Sequence, residues 1–407
     1  MTTFMSLVGM CMLLGIAFAA STNRKAISLR TVGIAFALQF IIGGFVLFSD
    51  AGKNALVGMS KAVSSVIGFA NDGISFLFGP LANQDTLGFI FAIQVLPVIV
   101  FFSALVAVLY HLGIMDWIIR ILGGGLQKLL KTSRTESLSA TANIFVGQTE
   151  APLIVKPFIA TMTKSELFAV MVGGLATVAG SVMAGYVIIG VELKYLIAAS
   201  FMAAPGGFLM AKMIVPETET PKDTLADLEL DEDKPVNVID AAASGAANGM
   251  HLALNVGAML LAFVALIALL NGLLGGIGGW FDYPTLTLQE ILGYIFAPVA
   301  WLLGVPWSEA IIAGSFIGQK LVVNEFVAYL DFMNYRDTLS AHTQAIVTFA
   351  LCGFANLSSI AILLGGLGGM APSRRKDIAR LGLRAVLAGS MANLMSAAIA
   401  GFFLSLA

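Results

Sequence analysis

The chain has 407 residues, of which 58% are hydrophobic and 11% charged, with a formal net charge of −2. A soluble domain carries roughly 25% charged residues, so this composition excludes a water-covered globule and leaves a polytopic membrane protein. The near-neutral balance gives no argument for a nucleic-acid partner or any strongly polarised one.

The chain opens on "MTTFMSLVGMCMLLGIAFAAS", which resembles a secretory signal in its apolar centre and in Ala17-Phe18-Ala19. Its first basic residue is Arg24, so a basic n-region is missing and the stretch reads as a first membrane helix over 4–20. Further apolar runs follow at 31–48, 88–109, 167–189, 195–215, 252–270, 345–364 and 386–406. That makes eight expected spans, each near the ~20 residues that cross a bilayer. Four apolar pieces between them, 55–81, 114–130, 284–304 and 311–330, are too short or too interrupted by Gly, Pro and charge to count as spans. They read as interfacial helices or re-entrant segments.

Lysine and arginine in short loops set the orientation. Arg24, Lys25 and Arg30 follow the first span, and Arg374, Arg375, Lys376, Arg380 and Arg384 precede the last. Both loops are expected in the cytoplasm, which places both termini outside and requires an even number of spans. The polar segment 216–240, "PETETPKDTLADLELDEDKPVNVID", holds nine of the 24 acidic residues and reads as a solvated cytoplasmic linker between two halves, with an acidic regulatory contact as the alternative. Cys11 and Cys352 lie in apolar segments without a second thiol nearby; they suggest neither a disulfide framework nor a thiolate metal site, and read as small buried hydrophobes.

Outside that linker most carboxylates flank a span or sit in a loop, but Glu150 and Glu325 are embedded in long apolar surroundings. An ionised carboxylate at membrane depth costs on the order of 3 kcal/mol, so each needs a compensating ion, proton, lysine or substrate. Their contexts echo one another. "NIFVGQTEAPLIVKP" places Gly147-Gln148 before Glu150, and "SFIGQKLVVNEFVAY" places Gly318-Gln319 before Glu325. The same step downstream from each glutamate reaches Ser181 in "GLATVAGSVMAGYV" and Asn356 in "LCGFANLSSIAILLGG". A short interrupted apolar segment followed by a polar-dotted span, occurring twice, points to a transporter with inverted repeats and broken helices. The expected tips lie near Gly147 and Gly318, where unpaired backbone groups survive at depth only by binding something. Pro152, which has no N–H, suits the start of the second limb of the first hairpin.

Polar candidates are Asn143, Gln148, Thr149, Glu150, Thr177 and Ser181 in the first repeat, with Asn324, Glu325, Asn356, Ser358 and Ser359 in the second. Amides, hydroxyls and two carboxylates without an arginine suit a neutral solute rich in hydroxyls and amides better than an anion. Lys156 and Lys320 are close in sequence, and Lys156 is expected at a hairpin's outer end or paired with a carboxylate, with a substrate contact as the alternative. Two other classes compete: an intramembrane enzyme using the two glutamates as acid and base, and a channel or structural membrane subunit. His111, His251 and His342 show no metal-ligand spacing, and a channel leaves two hairpin-like segments with paired carboxylates unexplained.

"GQTEAPLIVKPFI", "KLVVNEFVAY" and "CGFANLSSIAI" resemble the signature segments of the concentrative nucleoside transporter family in its bacterial, eight-span form. The resemblance covers nearly the whole chain. It implies an all-α homotrimer in the bacterial inner membrane, each protomer with eight spans, two re-entrant hairpins and interfacial helices, working as an elevator driven by an ion gradient. On that pattern 1–110 is scaffold with an interfacial helix near 54–70. Residues 111–215 form the first transport repeat with a hairpin at about 134–160, 216–245 the acidic loop, and 246–305 a scaffold span with an interfacial segment. Residues 306–407 form the second repeat with a hairpin at about 306–330. The resemblance also implies that Gln148, Thr149 and Glu150, with Val182 nearby, meet the nucleobase, while Glu325, Asn356 and Ser359 hold the ribose and Phe354 lines the pocket. A coupling sodium ion is implied at Asn143, the Val146 carbonyl, Thr177 and the Val178 carbonyl, with proton coupling through Glu150 or Glu325 as the alternative. Purine and pyrimidine nucleosides of the uridine, cytidine and adenosine type are left undistinguished.

Overall fold

The computed structural model describes residues 2–83, 87–221 and 235–406, and every regular element among them is helical. Eight helical runs are long and apolar enough to cross a membrane: Thr2–Ala19, Leu29–Phe48, Asp50–Ala82, Phe91–His111, Lys164–Ile188, Leu193–Ile214, Val238–Gly279 and Pro372–Leu404. Seven of the expected spans fall within or close to such runs. The eighth does not: the apolar stretch 345–364 is broken between Ala341–Leu351 and Ser359–Met370. Its place in the count is taken by Asp50–Ala82, where helix continues past Gly68 with only 17% of its most apolar window buried. Apolar content registers neither the break in the first case nor the continuity in the second.

Helices of nine residues or more are labelled α1 (Thr2–Ala19), α2 (Leu29–Phe48), α3 (Asp50–Gly68), α4 (Ala70–Phe78), α5 (Leu96–His111), α6 (Ile114–Leu130) and α7 (Arg134–Ala142). They continue as α8 (Lys164–Ala176), α9 (Gly180–Ile188), α10 (Leu193–Ile214), α11 (Val238–Gly279), α12 (Leu288–Leu302), α13 (Trp307–Val322), α14 (Glu325–Tyr335), α15 (Ala341–Leu351), α16 (Ser359–Met370) and α17 (Arg375–Leu404). Several begin at side-chain caps that satisfy otherwise orphaned N–H groups. Ser133 with Glu136 and Thr163 with Glu166 form reciprocal capping boxes at α7 and α8. The inner bundle is nearly dry, with 94% of the most apolar window buried for α8–α9 and for α10. By contrast α11 leaves most of its surface outward, in keeping with an apolar solvent around it. It crosses α5 closely at Gly245 and Gly249: a Cβ on Gly249 would stand 2.8 Å from Val100 Cα. This is small-residue packing of the GxxxG kind.

Cross-links sort the connections to two ends. At one end Thr22 N–H donates to Ile214 O, Thr31 to Leu130 O, Ser165 to Val215 O and Arg374 to Met162 O. The basic loops after α1 and before α17 therefore gather there, with the start of α7. At the other, Thr3 meets Ser405 at 2.7 Å, Ser6 donates to Leu303 O and His342 pairs with Gly304 O. Both termini share this end. Lys212 is buried between Glu136 at 2.7 Å and Ser165 at 2.9 Å, joining α10 to the first turns of α7 and α8.

Between the ends the chain builds the same unit twice. The first is α7, a non-helical stretch 143–150, short turns to Ile159, and the broken pair α8–α9; the second is α13, a break at Val323–Asn324, α14, and the broken pair α15–α16. The first unit starts at the basic-loop end and the second at the end that holds the termini. In each, an N–H beyond the broken helix donates to the tip of the preceding segment: Gly180 to Phe145 O at 3.0 Å, and Leu357 to Leu321 O at 3.2 Å. Gly147 lies in the non-helical stretch of the first unit, and Pro152 lies in the 3-10 turn Ala151–Val155 that follows it. The second tip is not at Gly318. That residue sits inside α13, where a Cβ would come within 2.7 Å of Leu292 Cβ, so its smallness serves the crossing with α12. Helices α12 and α13 meet at a 115° bend. Within the acidic stretch 216–245, residues 222–234 lie outside the described residues; at its start Glu217 accepts from Thr163 Oγ1 at 2.8 Å.

Candidate functional site

The four breaks face one cavity of about 120 Å³. Gln148, Thr149, Glu150 and Val182 line it from the first unit, and Glu325, Phe354, Asn356 and Ser359 from the second. Asn324 and Ser358 join them, and α11 closes the opposite wall with Leu252, Val256, Met259 and Leu260.

Glu325 opens α14, at the positive end of its helix dipole. The preceding Asn324 caps that helix by accepting from Val327 N–H at 2.9 Å. The Glu325 carboxylate is buried and accepts from Tyr186 OH at 3.0 Å and from the Asn356 amide at 3.1 Å. Asn356 Oδ1 in turn accepts from Ser358 Oγ, Ser359 N–H and Ser359 Oγ, so its amide orientation follows from the network. Two bonds fill about half of a carboxylate's acceptor capacity. The rest can take a pair of hydroxyl donors.

Glu150 differs. It is exposed at the cavity, and its Oε2 accepts from Gly147 N–H at 3.3 Å, closing the first tip on itself. Gln148 beside it is 5% exposed and its Oε1 has no partner. A buried bare amide oxygen costs about 1–3 kcal/mol, which a donor on a ligand would recover. Thr149 packs at Gly366 on α16, tying the first tip to the second broken helix.

Behind the cavity, Asn143 is fully buried; its Nδ2 donates to Ser139 O at 3.0 Å while its Oδ1 has no partner. A Cβ on Gly173 would stand 3.4 Å from that amide, and Thr177 Oγ1 donates to Gly173 O at 2.9 Å. Val146 and Val178 lie in the two non-helical breaks, where carbonyls are released from the helical ladder. These are neutral hard oxygens, a donor set that fits an alkali cation better than a thiophilic metal. Among the described residues no group of three or more His, Cys, Asp or Glu could hold a metal ion.

Two contributors carry little or no mark in the sequence. The apolar wall of α11 has no polar residue to flag it. Tyr186 stands one helical turn beyond Val182, a spacing that puts both on one face and is a usable signal. Lys320 is buried and bonded to Ala350 O and Asn393 Oδ1. Lys156 is exposed, and Ser181 is buried beside the cavity. Cys352 is buried as expected, whereas Cys11 is exposed on the outward face of α1, which an apolar surround tolerates. His342 serves structure through its bond to Gly304 O.

Comparison with known proteins gives this geometry a family. Residues 8–81 and 195–401 match the N- and C-terminal parts of the Na+ dependent nucleoside transporter family, and residues 92–192 match the "nucleoside recognition" family between them. The chain is 60% identical to an uncharacterized transporter of Haemophilus influenzae, with 100% of this chain and 99% of that one aligned. It is 50% identical to the nucleoside permease NupC of Helicobacter pylori over 100% and 99% of the two chains. It is 39% identical to human sodium/nucleoside cotransporter 1, over 97% of this chain and 63% of that one. The inward-facing, substrate-bound structure of CNTnw superposes with a TM-score of 0.96 at 59% identity, covering 100% of this chain and 99% of that one. An outward-facing variant of CNTnw gives 0.98 at 59% identity over the whole of both chains. With sequence families spanning nearly its full length and relatives at this identity, the chain belongs to the Na+-dependent nucleoside transporter family.

Proposed function

We propose that the chain imports nucleosides across the bacterial inner membrane as a sodium-coupled symporter, and that the residues around the cavity are its substrate site. The observation that carries this reading is the pairing of two unlike subsites. Buried Glu325, held by Tyr186 and Asn356 with acceptor capacity to spare, suits the vicinal hydroxyls of ribose. Gln148, with its bare oxygen, suits a base edge, with Thr149, Glu150 and Val182 around it. Phe354, Asn356 and Ser359 complete the ribose side. Bare Asn143 Oδ1, Thr177 and the carbonyls of Val146 and Val178 form the sodium site.

The two units, rooted at opposite ends, act as re-entrant hairpins plus broken spans of a transport domain, 111–215 and 306–407. Segments 1–110 and 246–305 act as scaffold. Opposed repeats around one site are the arrangement that lets a bound solute face either side in turn, here by an elevator motion within a homotrimer. The end that gathers the basic loops is cytoplasmic by the positive-inside rule, so both termini are periplasmic.

Purified protein in proteoliposomes, given radiolabelled uridine or adenosine, tests the reading. Accumulation above equilibrium with an inward sodium gradient is the expected result. Accumulation driven by a pH gradient in sodium-free buffer would transfer the coupling to a proton, equilibration without a gradient would make the chain a channel, and chemical change of the nucleoside would make it an enzyme.

A further inference from the structure

One buried charge has no part in the scheme above. Lys320 stands near the end of α13, 3% exposed, and its Nζ donates to Ala350 O and to Asn393 Oδ1, both at 2.7 Å. Asn393, on α17 and 2% exposed, donates through Nδ2 to Ala176 O at 2.6 Å and Cys352 O at 2.8 Å. Ala176 ends α8, and Ala350 and Cys352 lie at the end of α15. Phe354 N–H donates to Thr177 O at 3.1 Å, so the two broken helices meet at this point. Lysine and asparagine together satisfy the carbonyls that the broken helices leave without intrahelical partners, at the negative ends of their dipoles.

The step that carries Glu150 onto Glu325 also carries Thr177 onto Cys352, so the α8–α9 break and the α15–α16 break are counterparts. Their charges are not. At the first, Asn143 Oδ1 is bare, and no lysine or arginine is bonded to Asn143, Gly173 or Thr177 among the described residues. At the second, an ammonium is delivered by the chain itself.

We propose that Lys320 is a built-in cation: its ammonium holds, at the break of the second repeat, the place that a diffusible ion takes at the break of the first. It thereby positions Asn356 and Glu325 for the substrate. The inference rests on the ion-coupled transport reading and extends it to a stoichiometry. A tethered charge crosses with the protein and returns with it, so over a full cycle only the diffusible ion contributes, one per nucleoside.

Charge and uridine fluxes measured together in proteoliposomes under a sodium gradient test this on the wild-type protein. One net charge per uridine is expected, and two would overturn the inference while leaving sodium symport intact. No uptake under any ion gradient would overturn both. Variants add a readout that a merely structural lysine would not move. Lys320→Met is expected to bind uridine at least tenfold more weakly with an altered sodium response. Lys320→Ala is expected to regain uridine binding when propylammonium, which matches the deleted atoms, is added at millimolar concentration. A folded Lys320→Met protein with wild-type uridine affinity and sodium dependence, or a Lys320→Ala protein indifferent to propylammonium, would overturn the proposal.

Discussion

Asn356 donates its amide to the Glu325 carboxylate at 3.1 Å although 31 positions separate them. That bond joins the second hairpin-like segment to the second broken helix. It also makes Glu325 the most strongly prepared acceptor in the cavity.

Glu325→Gln therefore removes more than a charge. An amide in that place has one accepting oxygen instead of two, and its NH2 must face either Tyr186 OH or the Asn356 amide, both of which donate. Hydrogen bonds to charged groups are worth about 1.5–3 kcal/mol, so uridine affinity should fall on the order of 10- to 100-fold. Calorimetric or filter-binding titration of the purified variant checks this. Near-normal affinity would remove Glu325 from the ribose role.

The substrate side gives the matching experiment. If Glu325 accepts from both ribose hydroxyls, 2′-deoxyuridine and 3′-deoxyuridine each leave a buried acceptor unpaired. Each should compete for uridine uptake about tenfold less well or worse. Equal competition by ribo- and dideoxynucleosides would contradict the assignment.

Asn143→Ala takes away the bare buried oxygen at the proposed ion site. The sodium concentration for half-maximal uridine binding should rise by about tenfold or more, the scale of one lost ligand interaction of ~1.4 kcal/mol. Sodium titration of uridine binding reads the change. An unchanged sodium curve would show that the ion sits elsewhere.

Lys212 and Glu136 test stability apart from transport. Their contact at 2.7 Å is almost wholly buried, with side chains 7% and 2% exposed. Lys212→Met should cost about 3–5 kcal/mol by leaving the carboxylate uncompensated, whereas Lys212→Met with Glu136→Leu should recover much of it. Thermal denaturation in detergent distinguishes the two. Equal melting points for the single and double variants would mean that the pair is relaxed by water.

Gly314→Val probes the α12–α13 crossing. A Cβ there would lie 2.6 Å from Ala297 N and 2.7 Å from Phe296 C, both backbone atoms that cannot rotate away. The cost should reach or exceed the ~1–3 kcal/mol of ordinary overpacking, seen as a lowered melting temperature or loss of monodisperse protein.

What is legible in the sequence follows what its physics encodes. Seven spans are readable because twenty apolar residues have few other uses, and the first tip is readable because Gly147, Glu150 and Pro152 are each costly in a straight apolar helix. The 345–364 stretch misleads for the opposite reason. Its small polar residues at the break, Asn356, Ser358 and Ser359, leave the stretch apolar on average, and what holds the break open is Asn393, on another helix and 41 positions from Cys352. Gly318 misleads because glycine serves close packing as readily as turning. All eight residues expected to contact substrate line one cavity, yet the wall from α11 is invisible in the sequence. Leu252, Val256, Met259 and Leu260 look like any lipid-facing stripe until a second body is placed against them.

That plain wall has a consequence for how the molecule can move. A helix of 42 residues extends about 63 Å at 1.5 Å per residue, roughly twice the thickness of bilayer hydrocarbon. Along the cavity it presents only Leu, Val and Met. A body sliding past those four side chains breaks no hydrogen bond with them and unpairs no charge on the way. The dispersion attraction given up at one methyl is recovered at the next, each atom pair worth only ~0.1–0.2 kcal/mol. The rail is smooth because it is chemically silent, and selectivity can reside entirely in the carriage.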